Sequence, residues 1–363
     1  MRCDYCYSPP ALRMDMSDET ARRAIDFATE HSNGNAGIIF FGGEPLIKKD
    51  LIAKTLEYCH DKQPKNRCIL HFKVSTNGLL LDKEFLLFAE KMRLAIALSV
   101  DGIQIAHDAH RMTSDGKGTF EDVEDRLRLL LKYQPYAIVL MTVNPDTVEY
   151  YFESVKMLFE KGVKYLVTSL NYAGQWCDEN ISELKRQYKL IANLYKKLTI
   201  DQKKFYFSPF DMKFSSHIRG DDERCFRCHL GLRQVSVAPD GSIYPCVQFV
   251  KDGISNKKFI IGNVSDGFDE KKRNELYEMS REKSEQCSSC ALVSRCNHDC
   301  SCLNWQTTGL VNRVSSTLCE TERAIFPIAD KLGEQLYARK APMFIQKHYN
   351  AVYPILSLFD DMT

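Results

Sequence analysis

Cysteine placement constrains this chain more than any other feature. Nine of the 14 cysteines fall between Cys225 and Cys319, Cys3 and Cys6 stand at the start, and only Cys59, Cys68 and Cys177 lie between. Thiolates separated by two residues can turn back on one metal centre, so Cys-x2-Cys is a natural half-site. Two half-sites occur in the second half, Cys225/Cys228 and Cys287/Cys290, the latter continuing as Cys287-x2-Cys290-x5-Cys296-x3-Cys300 and then Cys319. In a small secreted protein such a set would read as disulfides. No apolar leader precedes Cys3, so the chain is expected to be cytoplasmic and its thiols to bind metal.

Two metal chemistries stay open on spacing alone, because zinc and iron–sulfur clusters both accept four thiolates. A single structural zinc site would use four cysteines of the cluster and leave the rest exposed to oxidation. Two four-thiolate centres absorb Cys225, Cys228, Cys246, Cys287, Cys290, Cys296, Cys300 and Cys319, with Cys302 left over. Cys59, Cys68 and Cys177 read as ordinary thiols.

The first ~200 residues alternate strand and helix signals. Ser17 is a helix N-cap followed by Asp18 and Glu19, with Ala21, Ala24, Ile25 and Ala28 as the apolar face. Strands are predicted over 37–41, 69–75, 94–100, 137–143 and 164–170, and helices over 50–60, 82–92, 120–132, 147–161 and 181–198. Strands joined through helices make a parallel α/β sheet, open or curled toward a barrel, with its chemistry at the C-terminal strand ends. Regularity stops near residue 205. Region 206–325 has hairpin signals such as Pro239-Asp240-Gly241 and few long helices, so metal is expected to stabilise it. A helix over 322–338 and an apolar end close the chain.

Composition excludes some partners. Lys plus Arg (49) nearly equals Asp plus Glu (48), which gives no electrostatic case for nucleic acid or an anionic membrane. The longest apolar runs are of strand length.

Cys3-x2-Cys6, in Arg2-Cys3-Asp4-Tyr5-Cys6, resembles the end of the Cys-x3-Cys-x2-Cys signature of radical S-adenosylmethionine (SAM) enzymes. Gly42-Gly43-Glu44-Pro45, Ser75-Thr76-Asn77-Gly78, Ser99-Val100-Asp101-Gly102 and Arg111 match further family positions in order. Taken singly these are turns and a surface cation. The spacing Cys228-x12-Gly241-x4-Cys246, followed by Cys287, Cys290, Cys296, Cys300 and Cys319, resembles the SPASM extension of that family.

The resemblance implies a partial (β/α)6 TIM-like barrel over 1–205, a Cys-rich SPASM domain with two auxiliary clusters over 206–325, and a helical tail over 326–363. It implies one catalytic and two auxiliary [4Fe–4S] clusters and S-adenosyl-L-methionine as cofactors. Cys3 and Cys6 would hold the catalytic cluster. Tyr5, Gly42, Gly43, Glu44, Asn77, Ser99 and Arg111 would surround SAM, with the Gly42–Pro45 turn on the methionine ammonium and Arg111 on the carboxylate. Cys225, Cys228, Cys246 and Cys300 would hold the first auxiliary cluster, and Cys287, Cys290, Cys296 and Cys319 the second. A 5′-deoxyadenosyl radical would then modify a peptide or protein, with a flavodoxin or ferredoxin as electron donor. The family's sulfatase-maturing branch has an Asp where Val247 follows Cys246, so peptide crosslinking ranks above formylglycine formation. A zinc-ribbon binding module is the non-enzymatic alternative. The family's first cysteine would lie four residues before Cys3, beyond the sequence, so the chain as written is expected to be weakly active or inactive.

Overall fold

The computed structural model describes residues 1–6, 14–62, 68–219, 228–250, 257–282, 284–350 and 352; Cys225 lies outside them. In chain order the first part comprises β1 (Arg2–Cys3), α1 (Asp18–Glu30), β2 (Asn35–Phe40), α2 (Lys49–Lys62), β3 (Ile69–Thr76), α3 (Lys83–Lys91), β4 (Leu94–Ser99), α4 (Gln104–Asp108) and β5 (Arg111–Met112). It continues with α5 (Phe120–Tyr133), β6 (Ile138–Val143), α6 (Tyr151–Glu160), β7 (Tyr165–Leu170), α7 (Asp178–Ile200), β8 (Tyr206–Phe207) and α8 (Ser208–Arg219).

Local chemistry sets these bounds. Ser17 caps α1 by accepting from Thr20 N at 3.0 Å, and Ala21, Ile25 and Phe27 turn inward. β4 is a continuous apolar run because both its faces are covered: Ile96, Ala97 and Leu98 are fully buried. Six strands pair in the order β2-β3-β4-β6-β7-β8, every neighbour parallel. That is a partial (β/α)6 barrel, with successive strands adjacent and helices outside. β1 and β5 stand apart as an antiparallel pair.

The sheet runs past residue 205. β8 pairs with β7, Ser208 at the head of α8 accepts from Thr168 N at 3.0 Å, and Phe210 and Phe214 enter the barrel core. The late helix α12 (Ser316–Ala338) begins six residues before the predicted 322, and Ala329, Leu332 and Leu336 join that same core. The end of the chain adds α13 (Pro342–Tyr349), where Lys347 and His348 reach a buried Asp211 at 2.7 and 3.2 Å.

The Cys-rich part is built differently. Its sheet is four short antiparallel strands, β9 (Ser236–Val237), β10 (Ser242–Tyr244), β11 (Gly262–Asn263) and β12 (Gly267–Phe268). Gly241 turns the first hairpin at φ +84°, after Asp240 has accepted from Ser242 N at 3.0 Å. The main core here is small: Leu230, Ala238, Tyr244, Phe249, Phe259 and Val311 pack with Cys246 and Cys302. Helices α9 (Glu270–Arg281), α10 (Glu285–Ser288) and α11 (Ser301–Thr308) complete it. Among the described residues no helix is long and apolar enough to cross a membrane.

Candidate active site and thiol pockets

Cys3 sits on β1 directly opposite Arg111 of β5. The chain then folds back, Cys6 N donating to Cys3 O at 3.2 Å, so the Cys-x2-Cys forms one turn at the C-terminal ends of the barrel strands. Cys3 is half-buried and Cys6 exposed. Burial raises the Cys3 thiol pKa, Asp101 and Cys6 add to the rise, and the Arg111 guanidinium opposes it. Arg111 Nη1 lies 3.8 Å from Cys3 Sγ.

Asp101, one residue beyond Val100 at the end of β4, organises this corner. Its carboxylate accepts from the Tyr5 hydroxyl, from Arg111 Nε at 2.7 Å and from Thr142 N at 2.9 Å, and it is only 4% exposed. Three donors satisfy a charge that would otherwise be costly to bury. Burial and Asp101 both push the Tyr5 phenol up, so it remains a donor. Burial works against the Arg111 charge, but the groups around it, Asp101 first and then Tyr5 and Cys3, together hold that pKa up.

A second line of hydrogen bonds ties the pair to the scaffold. Asp101 N donates to His107 Nδ1 at 3.2 Å; Nε2 lies 3.2 Å from Thr119 Oγ1, whose hydroxyl donates to Arg111 O at 2.7 Å. Only one direction satisfies all three contacts: neutral His107 accepts at Nδ1 and donates at Nε2. Burial, and then Arg111, lower its pKa to about 4, in agreement with that neutral form.

Glu44 fixes the neighbouring turn. Its Oε1 accepts from Leu46 N at 2.9 Å and Thr76 Oγ1 at 2.7 Å, and its Oε2 from Asn77 N at 2.8 Å. Both oxygens are therefore engaged by the chain itself, clamping Gly42–Pro45 onto the end of β3. What this turn can present to an ammonium group is backbone rather than carboxylate. A Cβ added to Gly42 or Gly43 would meet nothing within 4 Å, so that backbone borders open space. Asn77 Oδ1 accepts from Leu79 N at 3.0 Å and closes the next turn. Ser99 ends β4, one residue beyond Leu98, which pairs with Thr76. The structure thus gathers Cys3, Cys6, Tyr5, Asp101 and Arg111 in one corner and Gly42, Gly43, Glu44 and Asn77 in another. Open backbone at Gly42 and Gly43 suits the amino group of a cofactor, and the Cys3–Cys6 thiol pair suits a cluster.

The later thiols form two neighbourhoods, and no described cysteine is in a disulfide. Cys287, Cys290 and Cys296 each lie within electrostatic reach of Cys319. Cys228, Cys246 and Cys300 form the other, and Cys302 stands inside it, its sulfur 3.6 Å from that of Cys300. Backbone N–H groups point at these sulfurs: Val247 and Gln248 at Cys246, Leu303 at Cys300, Ser301 at Cys228 and His298 at Cys296. Such donors stabilise thiolates and suit cluster ligation. Among the described residues no three Cys, His, Asp or Glu side chains converge closely enough to hold a single ion.

In the sequence Asp101 reads as a turn former, and Cys302 falls outside both four-thiolate sets. A carboxylate at a strand end ten residues before an Arg was the available signal for the first, and the Cys-x-Cys spacing for the second. Nothing in the sequence marked Lys213 and Glu322, a buried pair at 2.6 Å joining α8 to α12 beside Cys296.

A barrel whose strand ends carry a thiol pair, followed by two thiol pockets, defines an iron–sulfur enzyme. Residues 1–158 match the radical SAM superfamily, and residues 225–297 match SPASM, an iron–sulfur cluster-binding domain. The chain thus joins a radical SAM domain to a SPASM domain, a pairing that implies [4Fe–4S] clusters and SAM as cofactors. A cysteine-type anaerobic sulfatase-maturating enzyme of Clostridium perfringens is 26% identical over 299 residues, covering 78% of this chain and 79% of the relative. GTP 3′,8-cyclase of Helicobacter pylori is 26% identical over 278 residues, covering 72% and 80%. The fold is similar to that of native anSMEcpe with bound AdoMet (TM-score 0.80, 21% identity, 93% of this chain and 95% of that one). It is also similar to Streptococcus suis SuiB bound to the precursor peptide SuiA (TM-score 0.61, 15% identity, 88% and 72%).

Proposed function

We propose that this enzyme modifies a peptide or protein, forming a crosslink in a ribosomal precursor peptide. The observation that carries the reading is the joining of a SAM-type barrel to two thiol pockets, in an arrangement shared over 93% of the chain with a structure described as native anSMEcpe with bound AdoMet and Kp18Cys peptide. The likeness to SuiB bound to its precursor peptide supports the same substrate class. When bound, the reduced cluster and SAM supply a 5′-deoxyadenosyl radical able to take a hydrogen atom from the substrate.

In this reading Cys3 and Cys6 hold the catalytic cluster, with Arg111 beside the Cys3 sulfur. Gly42 and Gly43 offer backbone to the methionine ammonium, while Glu44 keeps the turn in place. Asn77 and Ser99 border the nucleoside, and Arg111, oriented by Asp101, faces the cofactor carboxylate. Tyr5 packs over the cluster, its hydroxyl held by Asp101. Cys287, Cys290, Cys296 and Cys319 hold one auxiliary cluster. A cytoplasmic flavodoxin or ferredoxin supplies electrons.

Sulfatase maturation is the second reading, favoured by the Clostridium relative. Against it, Val247 opens the short turn Val247–Phe249 and packs on the small core, placing no proton acceptor after Cys246. The test gives the anaerobically reconstituted chain SAM, dithionite and either a cysteine-containing sulfatase-motif peptide or a precursor peptide encoded beside the gene. Crosslinking removes two hydrogens and retains sulfur; formylglycine formation from cysteine loses the sulfur. Mass spectra showing sulfur loss would reverse the ranking. Abundant 5′-deoxyadenosine with both peptides left at their parent mass would sink the reading.

A further inference from the structure

Cys302 has no place in the resemblance, yet it is the best-connected thiol of the first pocket. It lies two residues after Cys300, which is the N-cap of α11, and the two sulfurs are 3.6 Å apart. Cys246 is its other sulfur neighbour. At 7% exposure it is enclosed by Tyr244, Phe249, Phe259 and Val311. A thiol kept only for packing would touch apolar groups alone; this one touches two sulfurs that themselves receive backbone N–H groups. Cys228 completes the neighbourhood, its sulfur receiving Ser301 N–H.

We propose that Cys302 is the fourth thiolate of the first auxiliary cluster, with Cys228, Cys246 and Cys300, in the place that the resemblance gives to Cys225. Four thiols in one enclosed pocket supply the full complement of a [4Fe–4S] cluster. Cys300 and Cys302 approach from the first turn of α11, where the helix dipole favours negative sulfur. Cys228 and Cys246 approach from the segments on either side of the β9–β10 hairpin. Each thiol releases its proton to solvent as its sulfur bonds to iron, and ligation changes no oxidation state. The inference rests on the iron–sulfur reading of this region.

The test compares the full chain with Cys302→Ala, Cys302→Ser and Cys225→Ala, each purified without oxygen and reconstituted. Iron and sulfide per chain and the EPR spectrum after dithionite are the readouts. Cys302→Ala is expected to lose about four iron and four sulfide, the content of one cluster, while the EPR signal of the second auxiliary cluster persists as the control for folding. Cys225→Ala is expected to keep the parent content. Cys302→Ser, nearly equal in size, is expected to show a changed EPR signal of the first cluster. Parent-like iron and spectrum in both Cys302 variants would overturn the proposal, as would loss of a cluster in Cys225→Ala. A parent protein holding no iron would overturn the iron–sulfur reading itself, and the assignment of Cys302 with it.

Discussion

The barrel and the Cys-rich region solve the same problem by different means. In the barrel, β3, β4 and β6 bury Val74, Ile96, Leu98 and Val139 completely in one core shared with the outer helices. Each such side chain contributes about 1.5–3 kcal/mol, enough in sum to offset the conformational entropy of the segment. The Cys-rich region has two- and three-residue strands and a small core that already counts Cys246 and Cys302 among its members. Apolar burial organises the first region; the second depends on what its sulfurs bind.

The largest effect follows from that contrast. Removing iron with a chelator under reducing conditions is expected to unfold residues 228–319 locally while the barrel sheet stays ordered. Hydrogen exchange read by mass spectrometry checks it: amides of β10 and α11 should lose protection, and those of β3 and β4 should keep it. Equal loss in both regions would show a single cooperative unit and break the comparison.

Next in size is the seam between the regions. Lys213 and Glu322 form an ion pair, both 5% exposed, next to Cys296. Lys213→Met leaves the Glu322 carboxylate buried without its cation, at a cost of about 3–5 kcal/mol. Lys213→Met combined with Glu322→Leu is expected to recover much of that loss, because two apolar groups can replace a buried pair. Urea titrations of the three proteins decide it. A small effect of Lys213→Met alone would mean that the seam is hydrated.

The same contrast explains what could be read in advance. Parallel strands are written as short runs rich in apolar residues between turn signals, so the five strands from 37–41 to 164–170 fall within two residues of those observed. β8 is two residues long and follows Lys203-Lys204, leaving too little chain for any periodicity. It is held by its neighbours, with Tyr206 stacked on Tyr165 at 4.3 Å. In the Cys-rich region spacing announced metal chemistry but not which sulfurs share a pocket, since that depends on the loops between them. Spacing therefore leaves Cys302 out of both sets. At the barrel mouth the strand-end turns were legible one by one; the Asp101–Arg111 pair between them is a tertiary fact.

A pH effect comes third. His107 is fully buried and its pKa is lowered from 6.5 to about 4. The unfolded chain therefore binds a proton that the folded one refuses between those values. The stability this group contributes is complete above pH 6.5 and is lost as pH falls toward 4. Going from pH 7 to pH 5 is expected to cost about 2 kcal/mol through this one group. His107→Gln, which does not titrate, should flatten that part of the profile in thermal melts. An unchanged slope would assign the pH dependence to other groups and would break the neutral His107 link between Asp101 and Arg111.

The smallest expected change in stability is the most informative about the site. A Cβ at Gly42 meets no atom within 4 Å, and Gly42 is not among the glycines with positive φ. Gly42→Ala should therefore change stability by no more than about 0.5 kcal/mol. The methyl group would nevertheless occupy the open space beside the backbone proposed to receive the methionine ammonium. Affinity for SAM should fall about tenfold, a loss near 1.4 kcal/mol, measured by equilibrium dialysis on the reconstituted, unreduced protein. A stable variant with weakened SAM binding separates the turn's role as a cofactor seat from any role in folding. A stable variant with undiminished binding would remove Gly42 from the cofactor cradle and leave the Asp101–Arg111 corner as the place where SAM is held.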